Sequence, residues 1–268
     1  MSAASSPSRL ILHCGVQKTA STSLHQFLQS NRGDLRRHMA VLTPIKGSAT
    51  RSLGRAAAKF SIEPQAEPEF VAAIKTVRDQ VLAEGIDCLI SHENLVGAMI
   101  GRAGVTALYP HITQTIDLLD EHFSPFVPEY VFYTREMGAW KKSVYGQAVK
   151  SDQYAHSFSA FQKATRNCGS WNDFFARVRD HAGIDRAHMF ALEEEKQPEF
   201  PGMQLLKHAG LSERQVLQLA PQSSKRNKSL NSGSLEFMRL VNSLRLAAEP
   251  RREIARLVTQ NQSLFANT

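Results

Sequence analysis

A short apolar stretch that runs directly into a loop and then a helix constrains this chain more than any other feature. Leu10–His13 has three consecutive aliphatic residues and suits a strand buried on both faces. Cys14-Gly15-Val16-Gln17-Lys18-Thr19-Ala20 follows, and then Ser21–Ser30, where Leu24, Phe27 and Leu28 recur at helical spacing. The alternation continues. Strands are expected at Ala40–Thr43, Cys88–Ser91, Tyr130–Thr134 and His188–Leu192. Helices are expected at Glu69–Leu82, Leu108–Phe123, Ala139–Lys150, Phe158–Thr165, Trp171–His181, Gly202–Ala209, Leu235–Leu246 and Arg251–Phe265. Residues 45–66 are polar and broken by Gly and Pro, and read as a surface excursion. Strands alternating with helices predict an α/β fold, with a mainly parallel central sheet flanked by helices. One domain over 1–268 is expected, with the Ser/Ala-rich residues 1–8 frayed. Ligands of such sheets bind beyond the carboxyl ends of the strands, so chemistry is sought there.

Composition narrows the class. Apolar residues make up 42% of the 268 and charged residues 21%, which gives a folded core rather than disorder. No apolar run approaches a membrane span, and the first residues lack a secretory apolar core. The three cysteines (Cys14, Cys88, Cys168) are scattered and suit reduced thiols. A soluble cytoplasmic protein is expected. Residues 1–60 carry nine Lys/Arg against one acid and 222–268 carry eight against three, while the middle is net acidic. Basic ends around an acidic middle fit a local anion site; scattered rather than tract-like cations and few Tyr and Trp argue against nucleic acid.

The first loop is built for an anion. A strand–loop–helix aims backbone N–H groups and a helix N-terminus at one spot, which favours a phosphate. Lys18 adds a mobile charge, and Thr19, Ser21, Thr22 and Ser23 add hydroxyls. The Walker pattern G-x-x-x-x-G-K-[ST] is absent. A second anion anchor follows the strand Tyr130–Thr134: Arg135, whose guanidinium fork suits phosphate oxygens, and Ser143 eight residues later. The strand Cys88–Ser91 runs into His92 and Glu93, both placed to take a proton. The ten histidines show no metal-ligand spacing, so no metal is expected. Asp117, Asp120, Glu121 and Glu193–Glu195 read as solvated, and His13 as a packing or hydrogen-bonding residue.

The segment HCGVQKTASTSLHQFL resembles the 5′-phosphosulfate loop of bacterial sulfotransferases that use PAPS (3′-phosphoadenosine 5′-phosphosulfate). Arg135 with Ser143 resembles the 3′-phosphate clamp of the same family. The resemblance implies a P-loop NTPase-like architecture and sulfuryl transfer from PAPS to an acceptor hydroxyl, a sugar being the family-level expectation. Adenosine 3′,5′-bisphosphate would be the product. It implies donor binding by Gly15, Lys18, Thr19, Ala20, Ser21, Thr22, Ser23, Arg135 and Ser143. Arg226 and Lys228 join as candidates from a basic late loop, although the eukaryotic Arg-Lys-Gly signature is missing there. Lys18 would stabilise the leaving phosphate. Glu93 is the favoured base and His92 the second. Ala20 stands where relatives carry Gly, which the loop tolerates if residue 20 keeps φ below zero. Two other readings stay open: an ATP-dependent kinase on the same scaffold, and a non-catalytic module that binds a polyanion through the basic ends.

Overall fold

The computed structural model describes residues 8–222 and 229–265. The expected fraying of residues 1–8 therefore falls, from 1 to 7, outside the described residues. In chain order the elements are β1 (Leu10–His13), α1 (Ser21–Ser30), α2 (Arg32–Leu35), β2 (Ala40–Leu42), α3 (Ala49–Phe60), α4 (Glu67–Glu84), β3 (Cys88–Ser91), α5 (Ile112–His122) and β4 (Pro128–Thr134). They continue with α6 (Met137–Ser151), α7 (Phe158–Ala164), α8 (Trp171–Ala182), β5 (Ala187–Ala191), α9 (Met203–His208), α10 (Glu213–Val216), α11 (Ser232–Ser243) and α12 (Ala248–Gln260). No helix among the described residues is long and apolar enough to cross a membrane.

The five strands form one sheet in the order β2-β3-β1-β4-β5, and every pairing is parallel. β1 is central, with His13 opposite Ser91 on one side and Val131 on the other. All four of its residues are buried, as the unbroken apolar run requires. Alternate residues share a face. Ile11, Val41, Leu89, Val131 and Tyr133 pack with Leu24, Phe27 and Leu28 of α1 and Leu205 and Leu206 of α9. Each such side chain, fully buried, contributes about 1.5–3 kcal/mol.

Two compact units share the chain. The first comprises 8–98, 109–136 and 170–222 and contains the whole sheet. The second comprises 99–108, 137–169 and 229–265 and is helical. Its α6 is closed off by the buried Arg251, which donates to the terminal carbonyls of Val149 (2.9 Å) and Lys150 (2.8 Å), and by Asn242, which donates to Val149 (2.8 Å). Those carbonyls have no partner within the helix.

Two readings of the sequence need correction. Residues 45–66 are not a surface excursion: they fold into α3, with Leu53, Ala56, Ala57 and Phe60 buried. Ser48 caps it by accepting from the Arg51 N–H at 3.1 Å, and Phe60 stacks on Phe70. Small apolar residues hid the pattern, yet alanine is the strongest helix former. The helix expected from Leu108 begins only at Ile112, because Pro110 disfavours helical backbone at Tyr109, which sits at φ 43.

Candidate functional site

The loop after β1 is held from both sides. The Cys14 N–H donates to Val131 O (2.9 Å), and the Thr19 hydroxyl bonds to Val16 O inside the loop. Gln17, buried, donates to Gly97 O (2.7 Å) and Asn94 Oδ1 (3.2 Å) and accepts from the Tyr109 hydroxyl (2.7 Å). The sequence reading passed over Gln17; an uncharged residue at a loop tip gave no signal. Gly15 lies over His13, where an added methyl would come within 2.8 Å of the imidazole. Lys18 has φ 70 and Ala20 φ 64. The condition set for Ala20 therefore fails: it occupies the left-handed region that glycine takes freely and other residues pay about 1–2 kcal/mol to enter. α1 starts at Ala20 with no side-chain cap. The Ser23 N–H donates to Ala20 O at 2.9 Å, which leaves the Ser21 and Thr22 N–H groups of the first turn for an outside acceptor.

A cavity of about 460 Å³ opens beside α1, beyond the carboxyl ends of β2 and β3. Among its lining residues are Thr22, His25, Gln26 and Gln29 from α1, Thr43 after β2, Arg51 and Arg55 from α3, and His92, Glu93 and Asn94 after β3. Of the expected site residues it thus brings together Thr22, His92 and Glu93. Lys18 and Arg135 are not in its lining.

Two histidines, His25 and His92, flank Glu93, and Ser91 links His25 to a third, His13. His13 Nδ1 lies 2.7 Å and His25 Nε2 3.0 Å from Ser91 Oγ. The hydroxyl has one proton for two ring nitrogens, so it donates to one and accepts from the other. Burial pushes His13 down to about 3 and His92 down to about 4, and lowers His25 although Glu93 opposes the shift. All three are neutral at pH 7. Glu93 Oε2 lies 3.7 Å from His25 Nδ1 and 3.8 Å from His92 Nδ1, and is buried without a hydrogen-bond partner among the described residues. The His92 Nδ1 accepts the Asn94 N–H at 3.1 Å, and its Nε2 side rests on Gly54, where a methyl would lie 2.1 Å away. His25, Arg51 and Arg55 escaped the sequence reading. Thr22, His25, Gln26 and Gln29 at helical spacing were the available signal.

Arg135 follows β4, which extends three residues beyond the one paired with His13, so it lies at the same edge of the sheet as the Lys18 loop. Trp171 donates its indole N–H to the Arg135 carbonyl (2.7 Å), and the guanidinium has no ion-pair partner among the described residues. Ser143 lies on α6, in the second unit. Arg226 and Lys228 lie outside the described residues.

Two acidic groups expected to be solvated are structural. Asp120 takes a fork from Arg186 (2.8 and 2.9 Å) and the Tyr130 hydroxyl (2.8 Å). Glu195 accepts the Tyr133 hydroxyl and the Met203 and Gln204 N–H groups at the start of α9. One further cluster, Glu129, His188 and His208, presents potential metal ligands near the amino ends of β4 and β5. Arg9 already grips both Glu129 oxygens at 2.9 Å, and His208 adds a third bond at 2.9 Å. Comparison with protein-family models, with curated proteins and with solved structures finds no match for this chain in any of the three.

Proposed function

We propose that the chain is a sulfotransferase that moves the sulfuryl group of PAPS to a hydroxyl held in the cavity at Glu93. One observation carries the reading: Glu93, whose Oε2 is buried without a hydrogen-bond partner among the described residues, lines a cavity at the edge of the sheet where β1 delivers an uncapped helix start and Lys18. The donor set suits the two phosphate positions of PAPS. The Ser21 and Thr22 N–H groups, Lys18 and the hydroxyls of Thr22 and Ser23 suit the 5′ side, and the fork of Arg135, which has no ion-pair partner among the described residues, suits the 3′ side. PAPS supplies an activated sulfur–oxygen bond. The chain's own work is positioning and charge stabilisation, as in phosphoryl transfer.

The hydrogen-bond geometry favours Glu93 over His92 as base. His92 Nδ1 is occupied by the Asn94 N–H, and the other nitrogen of the neutral ring carries the proton. The neighbouring chain of bonds sets which ring atom His25 turns toward Glu93. His13 Nδ1–H donating to Ser91, and Ser91 donating to His25 Nε2, leaves His25 Nδ1–H facing the carboxylate. The reverse direction would aim a lone pair at Glu93. As the acceptor oxygen bonds to sulfur, its proton passes to Glu93, the sulfur–oxygen bond to the donor phosphate breaks, and Lys18 meets the charge on the departing oxygen. The reading needs no metal ion.

Isothermal titration with adenosine 3′,5′-bisphosphate, AMP and ATP tests it. The bisphosphate should bind at least tenfold tighter than AMP. Equal or absent binding of all three refutes the donor assignment, magnesium-dependent ATP selectivity favours a kinase, and steeply salt-dependent polymer binding without nucleotide preference favours a polyanion module.

A further inference from the structure

The charges lining the cavity do not balance. Glu93 is its one acid; Arg51 and Arg55 are its two permanent cations, and both its histidines are held neutral by burial. Neither arginine has an ion-pair partner among the described residues. Four of the five other arginines between residues 8 and 98 do pair with an acid: Arg9 with Glu129, Arg36 with Glu84, Arg37 with Asp34 and Arg78 with Asp79. Lys59, the third cation of α3, pairs with Glu69 at 2.6 Å. α3 itself contains no acid. Arg51 and Arg55 are one helical turn apart, which places their Cβ atoms ~6 Å from each other. Two guanidinium forks so spaced can grip one oxyanion between them. Gln26, Gln29 and Thr43 supply uncharged polar groups along the wall.

We propose that the acceptor is an anionic alcohol, its phosphate or carboxylate held by Arg51 and Arg55 while its hydroxyl meets Glu93. This rests on the sulfotransferase reading for the word acceptor, but the anion subsite itself stands on the cavity's charges. Such an arrangement gives the cavity one fixed and one reacting end. A neutral sugar or lipidic alcohol would leave both cations without a counter-charge.

The test uses the full chain with 15N-labelled arginine, inorganic phosphate as the smallest probe, and glucose 6-phosphate against glucose as hydroxyl-bearing probes, all at constant ionic strength. Phosphate should shift the Arg51 and Arg55 side-chain signals saturably, and those of the exposed Arg252 and Arg256 not at all. Glucose 6-phosphate should bind at least tenfold tighter than glucose. The double substitution R51Q/R55Q, at exposed helix positions where glutamine keeps the helix, should abolish both effects and leave adenosine 3′,5′-bisphosphate affinity within twofold. Linear shifts shared by all arginines, or equal binding of the two sugars, would overturn the proposal. So would loss of the phosphate shifts once the bisphosphate saturates the chain, because the anion would then be the donor's own. Phosphate binding at Arg51 and Arg55 in a chain that binds no bisphosphate would defeat the donor reading while upholding the anion subsite.

Discussion

The two edges of the same sheet handle charge in opposite ways. At the amino edge, Arg9 and His208 neutralise Glu129, the Arg9 N–H bonds Asp87 at 2.8 Å, and Arg186 forks onto Asp120 just before β5. At the carboxyl edge, Glu93 Oε2 has no hydrogen-bond partner and Arg51, Arg55 and Arg135 no ion-pair partner among the described residues. Leaving a buried polar group unsatisfied costs about 1–3 kcal/mol, so folding alone does not favour it. His188 Nε2 at the amino edge is likewise unpartnered among the described residues, so the difference lies in the charged groups, which are paired at one edge and, on the proposed reading, kept for a ligand at the other.

The largest expected effect is at the carboxyl edge. Glu93→Gln keeps the shape of the side chain but cannot accept the proton, and should lower transfer from PAPS by about 10²–10⁴ without loss of fold. His92→Asn should stay within a few-fold of the wild-type rate. With burial holding His92 down to about 4, the rate should show no inflection from that residue near the ordinary histidine value of ~6.5. An inflection there that disappears in His92→Asn would transfer the role of base to His92.

The amino edge should respond in stability and not in turnover. Against burial, which raises it, the bonds from His208 and Arg9 hold Glu129 down to about 2. A carboxylate held below its unfolded value of ~4.3 contributes stability above that value, and loses it as pH falls from ~5 toward 2. Arg9→Met should therefore cost about 1–2 kcal/mol at pH 7 by denaturant unfolding and flatten the loss between pH 5 and 2. Reduced transfer in this variant at full occupancy of folded protein would erase the distinction between the edges.

How much of this could be read beforehand depended on how local each signal was. The strands were readable because β1, β3 and β4 are short apolar runs between polar residues, and Glu93 because it follows a strand end. α3 was missed because Ala56–Ala58 and Gly54 make a weak apolar stripe, although Gly54 is what lets the His92 ring pack there. The opposed fates of Glu93 and Glu129 were not readable, since the partners of Glu129 lie 79 and 120 residues away and Glu93 Oε2 has none among the described residues.

The smallest effect concerns the loop itself. Ala20→Gly relieves the left-handed backbone at φ 64 and should stabilise the chain by about 0.5–1 kcal/mol, raising Tm by ~2 °C in calorimetry. No change would mean that the loop relaxes to negative φ in solution.

A crystal structure of the complex with adenosine 3′,5′-bisphosphate tests the anion edge most directly. The 5′-phosphate should sit on the N–H groups that open α1, within hydrogen-bond reach of the Lys18 ammonium, with the 3′-phosphate on the Arg135 guanidinium. Nucleotide density at any other place on the chain, or none at saturating concentration, would contradict it.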